Sequence, residues 1–318
     1  MTDAQLTVEG LSIRIPRAYG DAEVVSGVSF TVAAGECVGL VGESGCGKTL
    51  TGLALLGLLP AEAEATGHIR WRGEELVGAR SQRLRKIRGR EIGMIYQDAL
   101  TSLNPSLTIR RQVGQLVPRD GRRAAVDGML SQVALRDVPR IRRSYPFELS
   151  GGQRQRSLIA MGLAQHPALI VADEPTTALD EVIEAEVMSL LRELHEDGSL
   201  SMLLITHNIA LVSAMASRII VMYAGQVVEQ GATADVISQP KHPYTAGLID
   251  CIHSLEARQR PARSIPGLPP DPRDFTPGCR FAPRCSRATE ECTLTPPALT
   301  EEDGRSVACY HPLVGEQE

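Results

Sequence analysis

The stretch GESGCGKT, residues 42–49, fits the pattern G-x-x-x-x-G-K-[ST] and decides the fold. The run GECVGLV before it predicts a buried strand, and the run GKTLTGLALLGLL after it predicts a helix. Glycines let the backbone wrap closely around phosphate oxygens, while Lys48 supplies a positive charge and Thr49 a ligand for Mg²⁺. A glycine turn without function is the weaker interpretation. The predicted nucleotide-binding residues here are Gly42, Glu43, Ser44, Gly45, Cys46, Gly47, Lys48, Thr49 and Leu50.

Further apolar runs predict the rest of the core. ALIVAD, SMLLITH and RIIVMYAG indicate buried strands, and residues 182–195 indicate an amphipathic helix. Strands that alternate with helices favour a largely parallel sheet with helices on both faces. The first 30 residues alternate as antiparallel strands do. We therefore predict an α/β fold with a mostly parallel sheet and an N-terminal antiparallel β subdomain.

Length and composition are those of one large domain with an extension. The chain has 318 residues, 43% of them apolar, which allows a full core and leaves roughly 80 residues for a second small unit. Its net charge of −5 does not indicate nucleic-acid binding. The apolar runs are too short to span a membrane, and no secretory signal is evident. We therefore expect a chain in a reducing compartment, without disulfides, that does not cross a membrane by itself.

Positive charge is concentrated in residues 80–143, which hold fifteen basic and five acidic side chains. The plain interpretation is a solvated arginine-rich surface. The alternative is that part of this segment lies close to anionic lipid headgroups. The arginines considered for such a contact are Arg119, Arg122, Arg123, Arg140, Arg142 and Arg143.

Two carboxylates stand at the end of the predicted strand in LIVADEP. A buried carboxylate is costly there unless it serves a cation or a reaction. Asp173 suits Mg²⁺, and Glu174 suits a general base that polarises an attacking water. His207 follows another apolar strand, so we expect it at the same sheet edge, either as a structural residue or as a contact to the terminal phosphate.

The stretch LSGGQRQRSLIAMGLAQHP begins a long predicted helix at Ser150, Gly151, Gly152 and Gln153. The N-terminus of such a helix is a second anion site. A nucleotide in the loop of residues 42–49 already has one face covered. The second site is therefore expected to close on a nucleotide that another subunit holds.

In this order, GESGCGKT, Gln97, LSGGQ, LIVADE, ALD and His207 resemble the motifs of the ATPase cassette of ABC transporters, over about residues 5–240. The resemblance implies an ABC nucleotide-binding domain at residues 1–240, with a helical subdomain at about 98–165. It implies that two cassettes pair head to tail. Two ATP molecules would lie between the Walker motifs of one cassette and the LSGGQ of the other.

The resemblance also assigns roles to single residues. Tyr19 would stack on adenine, Gln97 would link Mg²⁺ and nucleotide to the membrane subunits, and Asp180 would contact the other cassette. Mg²⁺ would be held by Thr49, Gln97 and Asp173. The catalytic residues would be Glu174, His207 and Gln97.

Two stretches narrow the resemblance. YQDALTSLNP, residues 96–105, and KHPYT, residues 241–245, are similar to the ATPase subunits of oligopeptide and dipeptide importers, with nickel importers as close relatives. Ala99 replaces a more usual proline and Cys46 a more usual serine, and neither change removes a catalytic group. The implied partners are a second homologous ATPase subunit, two transmembrane permease subunits and an extracytoplasmic substrate-binding protein, without nucleic acid. The implied location is the cytoplasmic face of the cell membrane.

Residues 241–318 form a predicted C-terminal extension with four clustered cysteines, Cys279, Cys285, Cys292 and Cys309. Four thiolates suit tetrahedral zinc or an iron–sulfur cluster, although the spacing is wider than structural zinc sites usually have. The extension resembles that of the peptide importer ATPases, which implies a [4Fe-4S] cluster, with zinc as the alternative. Because few apolar residues follow Cys292, we expect the metal to keep the extension folded.

The sequence thus predicts the ATP-hydrolysing motor subunit of an importer of dipeptides or oligopeptides. An importer of nickel or a metal chelate is the alternative within the family. A soluble ABC ATPase of DNA repair or translation is the alternative from another class, and the short interval between Gln97 and Leu149 disfavours it. An iron–sulfur redox sensor that binds ATP is the third. The sequence alone names neither the solute nor the partner chains.

Overall fold

The computed structural model describes residues 4–16, 22–177, 179–196, 198, 200–256 and 265–313, in which the chain forms twelve strands and twelve α-helices. The strands are β1 Ala4–Ile15, β2 Ala22–Ala33, β3 Cys37–Val41, β4 Glu64–Trp71, β5 Glu74–Glu75, β6 Ile92–Ile95, β7 Leu169–Asp173, β8 Ser201–Thr206, β9 Arg218–Tyr223, β10 Gln226–Ala232, β11 Thr300–Glu302 and β12 Arg305–Val307. The helices are α1 Lys48–Leu55, α2 Ser81–Ile87, α3 Ala99–Ser102, α4 Ile109–Val113, α5 Arg122–Gln132, α6 Val138–Ile141, α7 Gly151–Leu163, α8 Glu181–Glu196, α9 Ile209–Met215, α10 Thr233–Ser238, α11 Pro243–Glu256 and α12 Glu290–Leu294. Single 3-10 turns cover Pro146–Glu148 and Ala282–Arg284.

The chain divides into two compact units. The first contains the described parts of residues 1–33, 37–79 and 204–318, and the second those of residues 34–36 and 80–203. The division passes through β8, between Leu203 and Leu204. The predicted domain boundary at residue 240 was drawn from sequence motifs and stays a prediction.

The first unit contains the N-terminal antiparallel sheet, with strand order β2-β1-β4-β5. Apolar side chains of β1 alternate into the core, and Leu6, Leu11 and Ile13 are completely buried. The ladder is irregular between Val8 and Leu11, where Gly10 has a φ of 58°. A glycine tolerates this left-handed conformation without steric cost, so the strand can bend there and keep its apolar face inward.

The second sheet of the first unit is mixed. Strand β3 pairs in parallel with β9, whereas β10 pairs antiparallel with both β9 and β12, and β11 completes the edge. The sheet is therefore mixed in this part of the chain, where the sequence predicted a mostly parallel sheet. The reason is the tight turn at Ala224 and Gly225, which reverses the chain directly after β9. An antiparallel hairpin forms across such a turn, because a parallel pair needs a long crossover.

The second unit combines the parallel pair of β6 and β7 with the helices α2 to α8. A Cβ at Gly93 in β6 would lie 2.6 Å from the carbonyl oxygen of Gly162 in α7, so the glycine lets the helix pack directly on the strand. Helix α8 places Val187, Leu190 and Leu191 in the core, as its amphipathic pattern predicts. Residues predicted for the site lie at the end of β7 and at the start of α7.

In the part of the chain that the structure describes, no helix has the length and apolar character needed to cross a membrane.

Candidate functional site

The loop of residues 42–49 joins β3 to α1, as the sequence predicts. Gly45 and Gly47 have left-handed backbones, with φ of 80° and 96°. A Cβ at Gly42 would lie 2.1 Å from the carbonyl oxygen of Met222, and one at Gly47 would lie 2.8 Å from Val25. The glycines are therefore required by packing as well as by the close approach of phosphate that the motif predicts.

Lys48 is buried, and its Nζ donates to the carbonyl oxygens of Gly42 at 2.7 Å and Glu43 at 3.0 Å. The ammonium group is thus enclosed by the loop, where a polyanion would be bound. Burial raises the pKa of the Cys46 thiol, although the nearby Lys48 lowers it. Cys46 therefore stays a protonated packing residue at neutral pH. Thr49 is exposed at the start of α1, where a metal-ligating hydroxyl is expected.

The second unit carries the predicted catalytic carboxylate. Asp173 ends β7 and Glu174 follows it, and the two residues are 2% and 9% exposed. Gln97 Nε2 donates to Glu174 Oε2 at 2.8 Å, and Thr177 Oγ1 donates to the same oxygen at 2.8 Å. Glu174 has a φ of 44°, a left-handed conformation that non-glycine residues rarely adopt and that often marks functional sites. The carboxylate is thus held in one orientation by two donors.

The signature stretch begins α7 with a capping box. Gln153 N–H donates to Ser150 Oγ, and Ser150 N–H donates to Gln153 Oε1, each at 3.3 Å. A Cβ at Gly152 would lie 2.7 Å from the Ile183 side chain, so the N-terminus of α7 packs closely on α8. Asp180 Oδ1 accepts from Ile183 N–H at 3.0 Å. The structure therefore brings the signature and Asp180 together within the second unit.

The predicted site residues fall into two sets, one in each unit. The first unit holds residues 42–50 and also His207, which is exposed after β8. The second unit holds Gln97, Asp173, Glu174, Asp180 and residues 150–153. Tyr19 lies outside the described residues. Thr177 was not predicted from the sequence, although a threonine three residues after a predicted catalytic carboxylate is a signal for such a donor.

The C-terminal extension packs on the other residues of the first unit. This packing was not predicted from the sequence. Strand β12 pairs with β10, and Arg305 forms a buried ion pair with Glu229. Phe281 is 4% exposed, and its ring lies 5.1 Å from that of Tyr223 and 5.5 Å from that of Tyr244. The extension therefore shares a core with the cassette. Packing, and not only a metal, can keep it folded.

The four clustered cysteines converge on one small cavity, which is also lined by Phe281 and His311. Burial raises the pKa of Cys279 and of Cys309. No disulfide involves any of the seven cysteines, all of which lie in described residues. Among the described residues, however, no group of three or more His, Cys, Asp or Glu side chains has a geometry that could hold a metal ion. The predicted metal site at the four cysteines, as a [4Fe-4S] cluster or as zinc, is therefore not supported.

The basic segment of the second unit does not form one uniform surface. Arg142 is 5% exposed and pairs with Asp127, so it is not among the arginines that can contact lipid headgroups. Arg140 pairs with Asp137. Four other arginines line one open pocket on the surface: Arg110, Arg111, Arg122 and Arg123. Only Arg122 and Arg123 of that set belong to the arginines considered for a lipid contact.

Comparison with known proteins agrees with these features. A family described as ABC transporter matches residues 25–177, and one described as Oligopeptide/dipeptide transporter, C-terminal region, matches residues 228–292. The chain is 41% identical to the oligopeptide transport ATP-binding protein AppD of Bacillus subtilis, over 96% of each chain. It is 38% identical to the oligopeptide transport ATP-binding protein OppD of Escherichia coli, over 98% of this chain and 94% of that protein.

A solved structure gives the same result for the fold. The dimeric ATP-binding cassette MJ0796, in a post-hydrolysis state bound to ADP and phosphate, is 28% identical, with a TM-score of 0.64. The match covers 72% of this chain and 98% of that one. The α/β P-loop fold is thus confirmed, with a mixed sheet. The chain belongs to the ATP-binding proteins of ABC transporters, in the oligopeptide and dipeptide transporter family.

Proposed function

We propose that this chain is the ATP-hydrolysing motor subunit of an importer of dipeptides or oligopeptides. The observation that carries the motor function is the carboxylate of Glu174, which follows Asp173 and is held by Gln97 and Thr177. A degenerate cassette would have lost one of these groups. The peptide substrate is supported by the C-terminal region and by the relatives described as oligopeptide transport proteins.

In the proposed mechanism, Lys48, Thr49 and Asp173 would hold MgATP, and the bound Mg²⁺ would neutralise charge on the phosphates. Glu174 takes the proton of the attacking water, while Gln97 and His207 position the water and the terminal phosphate. Residues 150–153 close on the nucleotide of a second cassette, with Asp180 at the contact, and Tyr19 stacks on adenine. Closure of the two cassettes then transmits force to the membrane subunits.

The proposed partners are a second homologous ATPase, two permease subunits and an extracytoplasmic substrate-binding protein. With these partners the chain would lie at the cytoplasmic face of the membrane. The relatives support the peptide importer and not the nickel importer, which was the alternative within the family. Proteoliposomes that contain the complete transporter distinguish the two solutes: peptide-stimulated ATP hydrolysis and peptide uptake support the proposal, whereas stimulation by Ni²⁺ alone contradicts it.

Replacement of the proposed general base tests the chemistry. In Glu174→Gln we expect kcat to fall by about 10² to 10⁴, because an amide cannot accept the proton of water. ATP binding should persist, since the loop of residues 42–49 is unchanged. Glu193→Gln is the matched control, because Glu193 is an exposed carboxylate on α8 of the same unit. A kcat within twofold of wild type for Glu174→Gln would refute the assignment.

For the extension, we propose a [4Fe-4S] cluster, with zinc as the alternative, on the single ground that four thiols line one cavity. The test is the iron, sulfide and zinc content of the full chain purified without oxygen. Cys285→Ser should lose the metal, and Cys251→Ser, outside the cavity, should keep it. A wild-type chain that contains no metal under these conditions would end this proposal.

A further inference from the structure

The C-terminal extension contacts the nucleotide-binding loop directly, through Arg284. Its Nη1 donates to Glu43 Oε2 at 2.6 Å, and its Nη2 donates to Glu43 Oε1 at 3.0 Å. The Arg284 side chain is 6% exposed and that of Glu43 is 24% exposed. A bidentate pair of this kind has a defined geometry, because the planar guanidinium matches the carboxylate. Glu43 is the second residue of the loop, so the extension fixes the position of the loop at its beginning.

Arg284 is itself held in place by the extension and by β9. Its Nε donates to the carbonyl oxygen of Pro266 at 2.8 Å, and its Nη1 lies 3.3 Å from the hydroxyl of Tyr223. The guanidinium therefore cannot follow Glu43 freely if the loop moves. This restraint distinguishes it from a flexible surface pair, which holds neither partner in place.

Two further contacts hold the same loop. The backbone N–H of Glu43 donates to the hydroxyl of Tyr244 at 2.8 Å. Further along the loop, the contact is indirect. Arg280 donates to the carbonyl oxygen of Ala224. Gly225, which follows Ala224 in the chain, donates its N–H to the carbonyl oxygen of Cys46 at 3.0 Å. Arg284 thus holds the first half of the loop directly, and Arg280 holds the second half through the turn after β9. The two arginines belong to one short segment of the extension.

We propose that Arg284 is a positioning residue for nucleotide binding: through Glu43 it holds the phosphate-binding loop in its binding conformation, so that ATP affinity depends on the docked extension. Arg280 and Arg284, with the 3-10 turn Ala282–Arg284 between them, form what we name the arginine clamp. The clamp would not touch the nucleotide. It acts by ordering the loop before the nucleotide arrives.

Two physical effects make the clamp matter for affinity. First, a loop that is already ordered loses less conformational entropy when the ligand binds than a loop that must first become ordered. Second, Arg284 neutralises the carboxylate of Glu43 in a loop that must accept a polyanion. Without Arg284, the unpaired carboxylate would repel the phosphates. Removal of Arg284 should therefore weaken ATP binding more than removal of the Glu43 charge.

The inference rests on the proposed binding of ATP by residues 42–49. The experiment is chosen so that failure of the proposed function and failure of the inference give different results. Equilibrium binding of a fluorescent ATP analogue and the KM and kcat for ATP are measured on the full chain, together with its melting temperature. Wild-type protein that binds no nucleotide would refute the proposed function. For Arg284→Ala we expect a Kd and a KM raised about tenfold, with kcat at saturating ATP within about twofold of wild type.

Companion variants address the pair itself. Arg284→Lys should recover part of the affinity, because it restores the charge without the bidentate geometry. Glu43→Gln should raise the Kd about threefold. The double variant of Arg284→Ala with Glu43→Gln should bind no more weakly than Arg284→Ala alone, because the repelling carboxylate is gone.

The matched control is Arg273→Ala. Arg273 also lies in the extension and also forms a bidentate pair, with Asp271 at 2.8 Å, but its side chain is 53% exposed. The Arg273→Ala protein should have the same Kd for ATP as the wild type. A folded Arg284→Ala protein with unchanged Kd would overturn the proposal, and so would fully additive effects of the two single variants. If the Arg284→Ala protein does not fold, the Glu43→Gln protein replaces it in the test. An unchanged Kd for ATP in the Glu43→Gln protein would then overturn the proposal.

Discussion

Two arginine–glutamate pairs connect the C-terminal extension to the rest of the first unit, and they differ in their surroundings. In one, the Glu229 side chain is 0% exposed and that of Arg305 is 10% exposed. In the other, Arg284 is 6% exposed but Glu43 is 24% exposed, in the proposed nucleotide-binding loop. The chemistry is the same, yet the first pair lies between packed strands and the second lies at the proposed ligand site. We therefore expect the first pair to serve stability and the second to serve nucleotide binding, according to where the carboxylate lies.

The stretch KHPYT links the two pairs by hydrogen bonds. The carboxylate of Glu229 accepts the N–H of Lys241 at 2.8 Å and that of His242 at 2.9 Å. The Nδ1 of His242 accepts the N–H of Tyr244 at 3.0 Å, and the Tyr244 hydroxyl accepts the N–H of Glu43. One continuous network therefore runs from the buried pair to the loop. This is the structural role of a stretch that sequence resemblance alone could only associate with a family.

The largest effect should come from breaking the buried pair. In Arg305→Ala we expect a loss of about 3–5 kcal/mol of unfolding free energy, because the carboxylate of Glu229 is left buried and partly uncompensated. Urea denaturation measures this loss. Lys241→Ala is the control, because Lys241 pairs with Glu302, whose side chain is 78% exposed, and should cost less than about 1 kcal/mol. A stability loss no larger for Arg305→Ala than for Arg284→Ala would remove the distinction between the two pairs.

The histidine in the linking stretch should make stability depend on pH. Burial lowers the pKa of His242 to about 4, from the ordinary 6.5. Between these values the unfolded chain binds more protons than the folded one, so stability falls as the pH decreases from about 6.5 towards 4. At pH 5 the loss from this group should be about 2 kcal/mol relative to pH 7.

His242→Asn sharpens this prediction, because an asparagine oxygen can still accept the N–H of Tyr244 at the start of α11. Urea denaturation of the two proteins at pH 7, 6 and 5 gives the comparison. The variant should lack the added acid sensitivity of the wild type between pH 6.5 and 4. Parallel pH profiles for the two proteins would show that His242 is not the group responsible.

The smallest effect should come from the hydroxyl at the loop end of the network. Tyr244→Phe keeps the ring against Tyr223 and Phe281 but removes the acceptor for the Glu43 N–H. We expect a loss of about 1 kcal/mol in stability and a rise of about threefold in the Kd for ATP. The control is Tyr310→Phe, whose hydroxyl makes only long contacts, of 3.4 and 3.5 Å. Equal Kd values for the two variants would indicate that Tyr244 contributes packing alone.

The sequence predicted the parts of the fold and the site that local patterns encode. The strand, glycine loop and helix around residues 42–49 are confirmed, because steric and hydrogen-bonding requirements act within a few residues there. The sequence predicted a mostly parallel sheet, and the sheet is mixed because of strand β10. Its apolar pattern is compatible with either pairing, and only the short turn after β9 makes the pair antiparallel. The sequence also did not separate Arg142 from the exposed arginines near it, because its charge is visible in the sequence but its pairing with Asp127 is not.

By itself, the sequence determined the class of fold and the strand, glycine loop and helix around residues 42–49, since these depend on residues close together in the chain. The tertiary structure alone decided that Glu174 is held by Gln97, 77 residues away, and that Glu43 is held by Arg284, 241 residues away. Such contacts depend on how strands pair and turns reverse the chain. Local composition does not encode the distance between two side chains, because that distance is fixed only when the whole core packs.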